Sequence, residues 1–349
     1  MTRPLRIAQV APVGTSVPPR LSGSIETMTS VITEGLVARG HEVTLFATGD
    51  STTTAKLHAS YPRGYRDDPL MWPWELCELF NLAAAFERSA SFDVIHCQAA
   101  YAPMSLAMSR LVPGPVLHTV HHAPAPAEVD MWQRYPEQPF VAVSLDQAQR
   151  LSGLTVVGVI PHGLDLRQFV FRAVPDDYLL FLGRFTEGKG VVPAIETARR
   201  SGLRLLLAAQ ENEYYREVVA PLVDGVQTVY VGEVSHHEKI ALLGGARALL
   251  YPVQAAEPFG LVLTEAMACG TPVAALDAGA VREVVDVGVT GGVFASLDAL
   301  VAGLPRVLTL DRAAVCATAA ARFGVDRMVD AYVDVYTALV GTARAARKA

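Results

Sequence analysis

The sequence predicts an α/β protein made of two parallel sheets wound by helices, and three observations carry that prediction. Apolar runs of strand length alternate with helical patterns, as strands joined by crossover helices require. At 349 residues the chain is long enough to bury two cores. The patterning breaks around residues 165–175, between two successive series of strands.

Residues 6–11 read as the first strand and lead to a helix over 25–39. Ile25, Met28, Ile32 and Leu36 recur there at helical spacing, and Gly40 closes the helix. Strands follow at 42–47, 94–96, 116–120 and 140–143. The second series is 178–182, 204–208, 228–231, 248–253 and 273–275. A short helix is expected over 261–269, stopped by Gly270 and Pro272, and a last one from 325 to about 340. On that last helix Tyr332 and Tyr336 stand four residues apart and share a face. The basic tail Arg344, Arg347 and Lys348 suits a helix C-terminus.

Composition excludes several classes. Lysine and arginine total 29 against 35 acids, a net charge of −6, so no nucleic-acid partner is expected. The 4 cysteines, Cys77, Cys97, Cys269 and Cys316, lack metal-ligand spacing and lie mostly among apolar residues, which suggests free thiols in a reducing compartment. The basic start before an apolar stretch is interrupted by Gln9 and Pro12, too early for a signal segment. No apolar run approaches the roughly 18 residues of a transmembrane segment, and a cytoplasmic location is the default expectation.

The most informative stretch is 257–273. An apolar run, 248–253, delivers Glu257 to the start of a helix that carries Glu265. The free amides of Gly260, Leu261 and Val262, with the helix dipole, make a site for an anion such as a phosphate. Carboxylates repel phosphate and accept hydrogen bonds from hydroxyls, so the ligand should carry hydroxyls on both sides of its phosphates. A nucleotide-sugar has that form. Taken singly, each glutamate is also explained by ordinary helix capping or a solvated helix face.

The segment 183–190, Gly-Arg-Phe-Thr-Glu-Gly-Lys-Gly, has nearly the spacing of a P-loop. It fails at the end, because Gly190 has no hydroxyl for magnesium. The same loop after a strand can aim Arg184 as a bidentate fork and Lys189 as a point charge at phosphate. Lysine is scarce here: Lys56, Lys189, Lys239 and Lys348 are the only 4. An exposed turn with solvated cations is the competing explanation. The tract 116–122 places His118, His121 and His122 at a strand end, where ligands of open α/β sheets bind. Alternation along a strand would send His118 and His122 to one face and His121 to the other, which does not make a zinc set. Residues 12–24 form a long loop with Gly14 and Gly23, and glycine permits close backbone approach. No Gly-x-Gly-x-x-Gly follows the first strand, which argues against a dinucleotide cofactor.

The block 257–273 resembles the signature of the retaining glycosyltransferases of family 4. Residues 181–190 resemble that family's phosphate-binding segment, 159–165 its interdomain connection, and 23–26 a motif that usually has two glycines, with Ser24 in place of the second. The resemblance covers nearly the whole chain and is densest over 159–294. It implies the GT-B fold: two Rossmann-like doubly wound domains, 1–168 on the acceptor side and 169–324 on the donor side, facing a central cleft. The terminal segment 325–349 would cross back to the first domain.

The resemblance also implies the chemistry, which is transfer from a nucleoside diphosphate sugar to an acceptor hydroxyl with retention. Arg184 and Lys189 would hold the diphosphate and stabilise it as it leaves. Glu257 would orient the sugar, Glu265 would bind the ribose, and His121 would approach the reacting carbon. Gly23, Phe259, Gly260, Leu261 and Val262 would line the donor site, with Glu233 and Val234 beside the base. Backbone contacts to the base leave little side-chain code, so a UDP-sugar, a GDP-sugar and an ADP-sugar are not distinguished. Attack from the front face lets the leaving phosphate take the acceptor's proton, so no dedicated base is assigned.

No Asp-x-Asp occurs in the chain, and no metal or other cofactor is expected beyond magnesium carried by the substrate diphosphate. The acceptor class stays broad: a small molecule, a saccharide or a natural product. Trp72, Trp74 and Trp132 with Tyr61, Tyr65 and Tyr135 suit either an aromatic platform for it or ordinary packing. A nucleotide-sugar epimerase or phosphorylase of the same architecture, and a noncatalytic nucleotide-sugar sensor, are the alternative readings.

Overall fold

A computed structural model describes residues 3–68, 70–98 and 102–346. The chain forms two compact units, one of residues 1–163 with 325–349 and one of residues 164–324. In the first unit seven parallel strands lie in the order β3-β2-β1-β4-β5-β6-β7. They are β1 (Arg6–Val10), β2 (Glu42–Ala47), β3 (Lys56–Ala59), β4 (Val94–Cys97), β5 (Val116–Thr119), β6 (Pro139–Ala142) and β7 (Thr155–Val159). The second unit has six, β8 (Leu179–Leu182), β9 (Leu205–Ala208), β10 (Thr228–Gly232), β11 (Ala248–Tyr251), β12 (Val273–Leu276) and β13 (Gly291–Phe294), in the order β10-β9-β8-β11-β12-β13. In each sheet the order reverses at one point, between β1 and β4 and between β8 and β11. Loops at the carboxyl ends of such strands diverge and leave a crevice.

Three strands, β3, β7 and β13, have no counterpart in the sequence reading, and all three are sheet edges. Edge strands carry weak apolar signal because one side faces solvent. β3 is mostly exposed, β7 is at best half-buried, and β13 opens with Gly291 and Gly292. The inner strands fall within one or two residues of expectation, because both of their faces are covered and their residues read as continuous apolar runs. In the second unit Leu179, Phe181, Leu205, Leu207 and Leu250 of the sheet pack with Ile195, Leu300 and Leu304 of the helices.

The terminal helix Val325–Ala346 belongs to the first unit. Tyr332 and Tyr336 are fully buried and close a polar network beneath the sheet. Tyr336 Oη lies 2.6 Å from His96 Nδ1 and accepts from Gln9 Nε2 at 2.9 Å. His96 Nε2 lies 2.7 Å from Thr119 Oγ1, which is 3.1 Å from Tyr332 Oη. Buried polar groups are retained when they satisfy one another, and here that need draws the last helix onto β1, β4 and β5. Arg344 pairs with Asp93 at 3.2 Å rather than standing free at its helix end, and Arg347 and Lys348 lie outside the described residues. Among the described residues no helix is long and apolar enough to cross a membrane.

Burial in this unit predicts acid sensitivity. Desolvation pushes His96, His118 and His162 down to about 3 from the ordinary 6.5. Between those values the unfolded chain binds protons that the folded unit excludes. The stability they contribute is therefore complete above pH 6.5 and is lost as the pH falls. Glu78 acts oppositely: burial holds it up to about 7 against 4.5, so its contribution grows as the pH falls through that window. Three histidines outweigh one carboxyl, and the urea midpoint is expected to fall steadily from pH 6.5 to 5. A flat or rising midpoint would contradict the burial of these imidazoles as neutral groups.

Candidate functional site

In the second unit the loops after β8 and β11 meet at the point of strand-order reversal, and the backbone laces them together. Gln254 N donates to Gly188 O at 2.9 Å and Ala255 N to the same carbonyl at 3.2 Å. Gly190 has φ 75°, and a Cβ there would stand 1.9 Å from Pro252 O, so this residue must be glycine on both counts. On the other side Ala280 N donates to Glu257 O at 2.8 Å. These contacts bring Lys189 to Glu257.

Lys189 Nζ lies 2.6 Å from Glu257 Oε2, and Tyr251 Oη donates to that same oxygen. Lys189 also stands 3.5 Å from Tyr251 Oη. Burial, then the charge and hydrogen bond of Glu257, raise Tyr251 well above the usual tyrosine range, so the phenol stays a donor. Arg184 is exposed, and its guanidinium has no hydrogen-bond or ion-pair partner among the described residues. Its charge nevertheless reaches Tyr251. A buried carboxylate, its lysine and a free guanidinium thus lie in the neighbourhood of one phenol.

Beyond Glu257 the chain turns at Gly260 (φ 88°) into the helix Leu261–Ala268. Among the described residues the amides of Gly260, Leu261 and Val262 donate to no protein acceptor, as the first turn of a helix leaves them. The ring of Phe259 is buried and meets Phe323 edge-on at 5.9 Å, so this residue anchors the turn with its side chain and has only backbone to present to a ligand. Glu265, also buried, accepts from Lys239 Nζ at 2.5 Å. Glu233 and Val234 are partly exposed just past the end of β10. Chemically, this edge of the second sheet joins anion-binding amides and cations to two carboxylates that can receive hydroxyls.

Two participants here were not singled out from the sequence. Tyr251 is the last residue of β11 and reads as strand core. Lys239 sits in the helix His236–Gly245, whose capping box of Ser235 and Glu238 is legible, but nothing local marks its partner 26 residues on.

In the first unit Gly23 caps the helix Ser24–Ala38 with an extended φ of 167°. Its glycine is a matter of space: a Cβ would stand 2.8 Å from Glu26 Oε2 and 2.9 Å from Pro19 Cβ. Ser24 is exposed. His121 is half-buried. Burial first, then the charges of His162, His96 and His122, hold it well below the usual histidine range, so its imidazole is neutral. Its Nε2 lies 2.7 Å from Gln98 Oε1, and its ring stacks on His162 at 5.4 Å.

β5 ends at Thr119, so strand alternation does not govern His121 and His122. His118 and His122 still share an aromatic cluster, through Phe140 at 5.4 Å and Trp132 at 6.0 Å. The aromatic residues do not form one platform. Trp132 is core, stacked on Phe140 at 5.8 Å, whereas Tyr65 and Trp74 pair elsewhere at 5.8 Å and Trp72 is 75% exposed.

Two doubly wound parallel sheets, one of them carrying this anion-and-hydroxyl site, define a glycosyltransferase of GT-B fold. Residues 165–322 match the family model described as glycosyl transferases group 1, and residues 25–168 match that of glycosyltransferase family 4. The chain belongs to this family of group 1, family 4 glycosyltransferases. It is 26% identical over 316 residues to a phosphatidyl-myo-inositol mannosyltransferase of Mycolicibacterium smegmatis, across 82% of this chain and 80% of that one. Its fold is similar to that of a glycosyltransferase involved in avilamycin A biosynthesis (TM-score 0.73, 24% identity, 97% and 99% coverage). It is also similar to the Anabaena protein HepE solved in complex with UDP and glucose (TM-score 0.74, 17% identity, 96% and 100% coverage).

Proposed function

We propose that the protein transfers a glycosyl group from a nucleoside diphosphate sugar to an acceptor hydroxyl with retention at the anomeric carbon. The observation that carries this reading is the set at the carboxyl ends of β8 and β11. Among the described residues the exposed Arg184 guanidinium has no protein partner and the amides at 260–262 are open, and Glu257 and Glu265 bracket those amides in sequence. Cations and amides suit a diphosphate whose charge grows as it leaves. The carboxylates suit the hydroxyls of a sugar and a ribose. The binding of UDP and glucose by HepE, which shares the fold, supports the donor class.

Lys189 is paired with Glu257 in the free protein, so the donor must share or loosen that pair, and Arg184 is the cation ready for phosphate. Front-face attack, with the leaving phosphate taking the acceptor proton, needs no separate base. Metal enters only with the substrate diphosphate. A thermal-shift screen of nucleoside diphosphate sugars, followed by donor hydrolysis for each hit, tests the reading; stabilisation by no donor would sink it. Proton NMR of the product's anomeric centre checks retention.

Glu265→Ala is expected to weaken binding of the nucleoside diphosphate about tenfold to a hundredfold, the worth of hydrogen bonds to a charged group. Isothermal titration reads that loss. An unchanged Kd would remove Glu265 from the site.

A further inference from the structure

Lys239 Nζ stands 2.5 Å from Glu265 Oε1, with the two side chains 22% and 10% exposed. Glu265 Oε2 accepts no hydrogen bond among the described residues. The two oxygens of this carboxylate are therefore unlike: one is held by a charge-assisted bond, the other is open. We propose that Lys239 is a positioning residue that makes Glu265 read the two vicinal hydroxyls of the nucleotide ribose unequally. This rests on the reading of Glu265 as the ribose carboxylate.

A free carboxylate offers about four lone-pair sites on two oxygens, so a vicinal diol can bridge both. The terminal torsion of a glutamate is also broad, and an unheld carboxylate turns to suit whichever hydroxyls arrive. Lys239 removes both freedoms. Its ammonium occupies Oε1, and its helix, started by the Ser235 capping box, anchors it against rotation of the carboxylate plane. A buried carboxylate without its cation is costly, which favours the pair persisting when ligand binds. One ribose hydroxyl then meets the open Oε2, and the other finds a site already shared.

The test measures Kd by isothermal titration for whichever of UDP, GDP or ADP the protein binds, and for its 2′-deoxy and 3′-deoxy analogues. In the native protein the penalties for losing the two hydroxyls should differ by about tenfold, the range of one hydrogen bond to a charged group. In Lys239→Met, which keeps the stem, they should converge to within about twofold. Lys239→Gln gives the same comparison should the first variant melt early. A purely structural lysine would weaken all three ligands together and leave the asymmetry intact. Equal penalties in the native protein, or asymmetry that survives both variants, would overturn the proposal while leaving the donor site standing. Failure of all three nucleotides to bind the native protein would instead bring down the nucleotide reading and this proposal with it.

Discussion

Arg184→Ala is expected to lower kcat by about a hundredfold or more, the usual cost of removing one preorganised group from developing charge. Donor Kd should change much less. The expectation follows from how the three charges are arranged. Lys189 is neutralised by Glu257 at 2.6 Å, whereas the Arg184 guanidinium is exposed and without a partner among the described residues. A cation already bound to a carboxylate adds little further field, while a free guanidinium can offer two parallel donors to phosphate oxygens. On the proposed transfer a diphosphate would gain charge as the glycosidic bond breaks, so that interaction would grow toward the transition state and register in kcat. Steady-state kinetics with the donor found by thermal shift, beside titration of the bare nucleotide, separates the two effects. Equal losses in Kd and kcat/KM with kcat preserved would make Arg184 a ground-state binder only.

Gly190→Ala should be the most damaging single-methyl change near the site. Forcing an alanine into the left-handed region costs about 1–2 kcal/mol. Its Cβ would also meet the Pro252 carbonyl oxygen at 1.9 Å and the carbonyl carbon at 2.6 Å. Backbone cannot rotate aside as a side chain can, so the loops after β8 and β11 must part and carry Lys189 from Glu257. A total loss of about 3 kcal/mol in unfolding free energy is expected, with activity falling further than stability alone explains. Gly202→Ala supplies the control. That residue is equally left-handed, at φ 66°, but a Cβ there meets nothing within 4 Å. It should lose about 1 kcal/mol and keep its activity. Equal losses in urea titrations of the two variants would mean that the contact between loops contributes nothing.

Of the missed strands, β3 and β7 are illegible because they are largely exposed at a sheet edge and carry little apolar pattern, and β13 because it opens on two glycines. The site was read as a set of types and positions: a glycine turn before a helix, glutamates at 257 and 265, cations at 184 and 189. Their partnerships were not read. Lys239 lies 26 positions before Glu265, and Lys189 lies 68 positions before Glu257. Contacts at such separations arise only when strands from distant parts of the chain become neighbours in the sheet. Tyr251 was hidden for a related reason, since its apolar ring satisfies the strand pattern and its hydroxyl has a role only once Glu257 turns back upon it.

The sequence by itself determined that this chain winds parallel sheets, where one helix begins with open amides, and which charges lie near that start. Those properties are local, written in periods of two and 3.6 residues and in the special backbone of glycine. Tertiary structure alone decided which charge stays free. Lys189 and Lys239 each find a glutamate across the β8, β11 and β10 loops, and Arg184 finds none among the described residues. The reason is steric closeness: Gly190 against Pro252 sets the separation of two loops, and that separation assigns the lysine to its carboxylate.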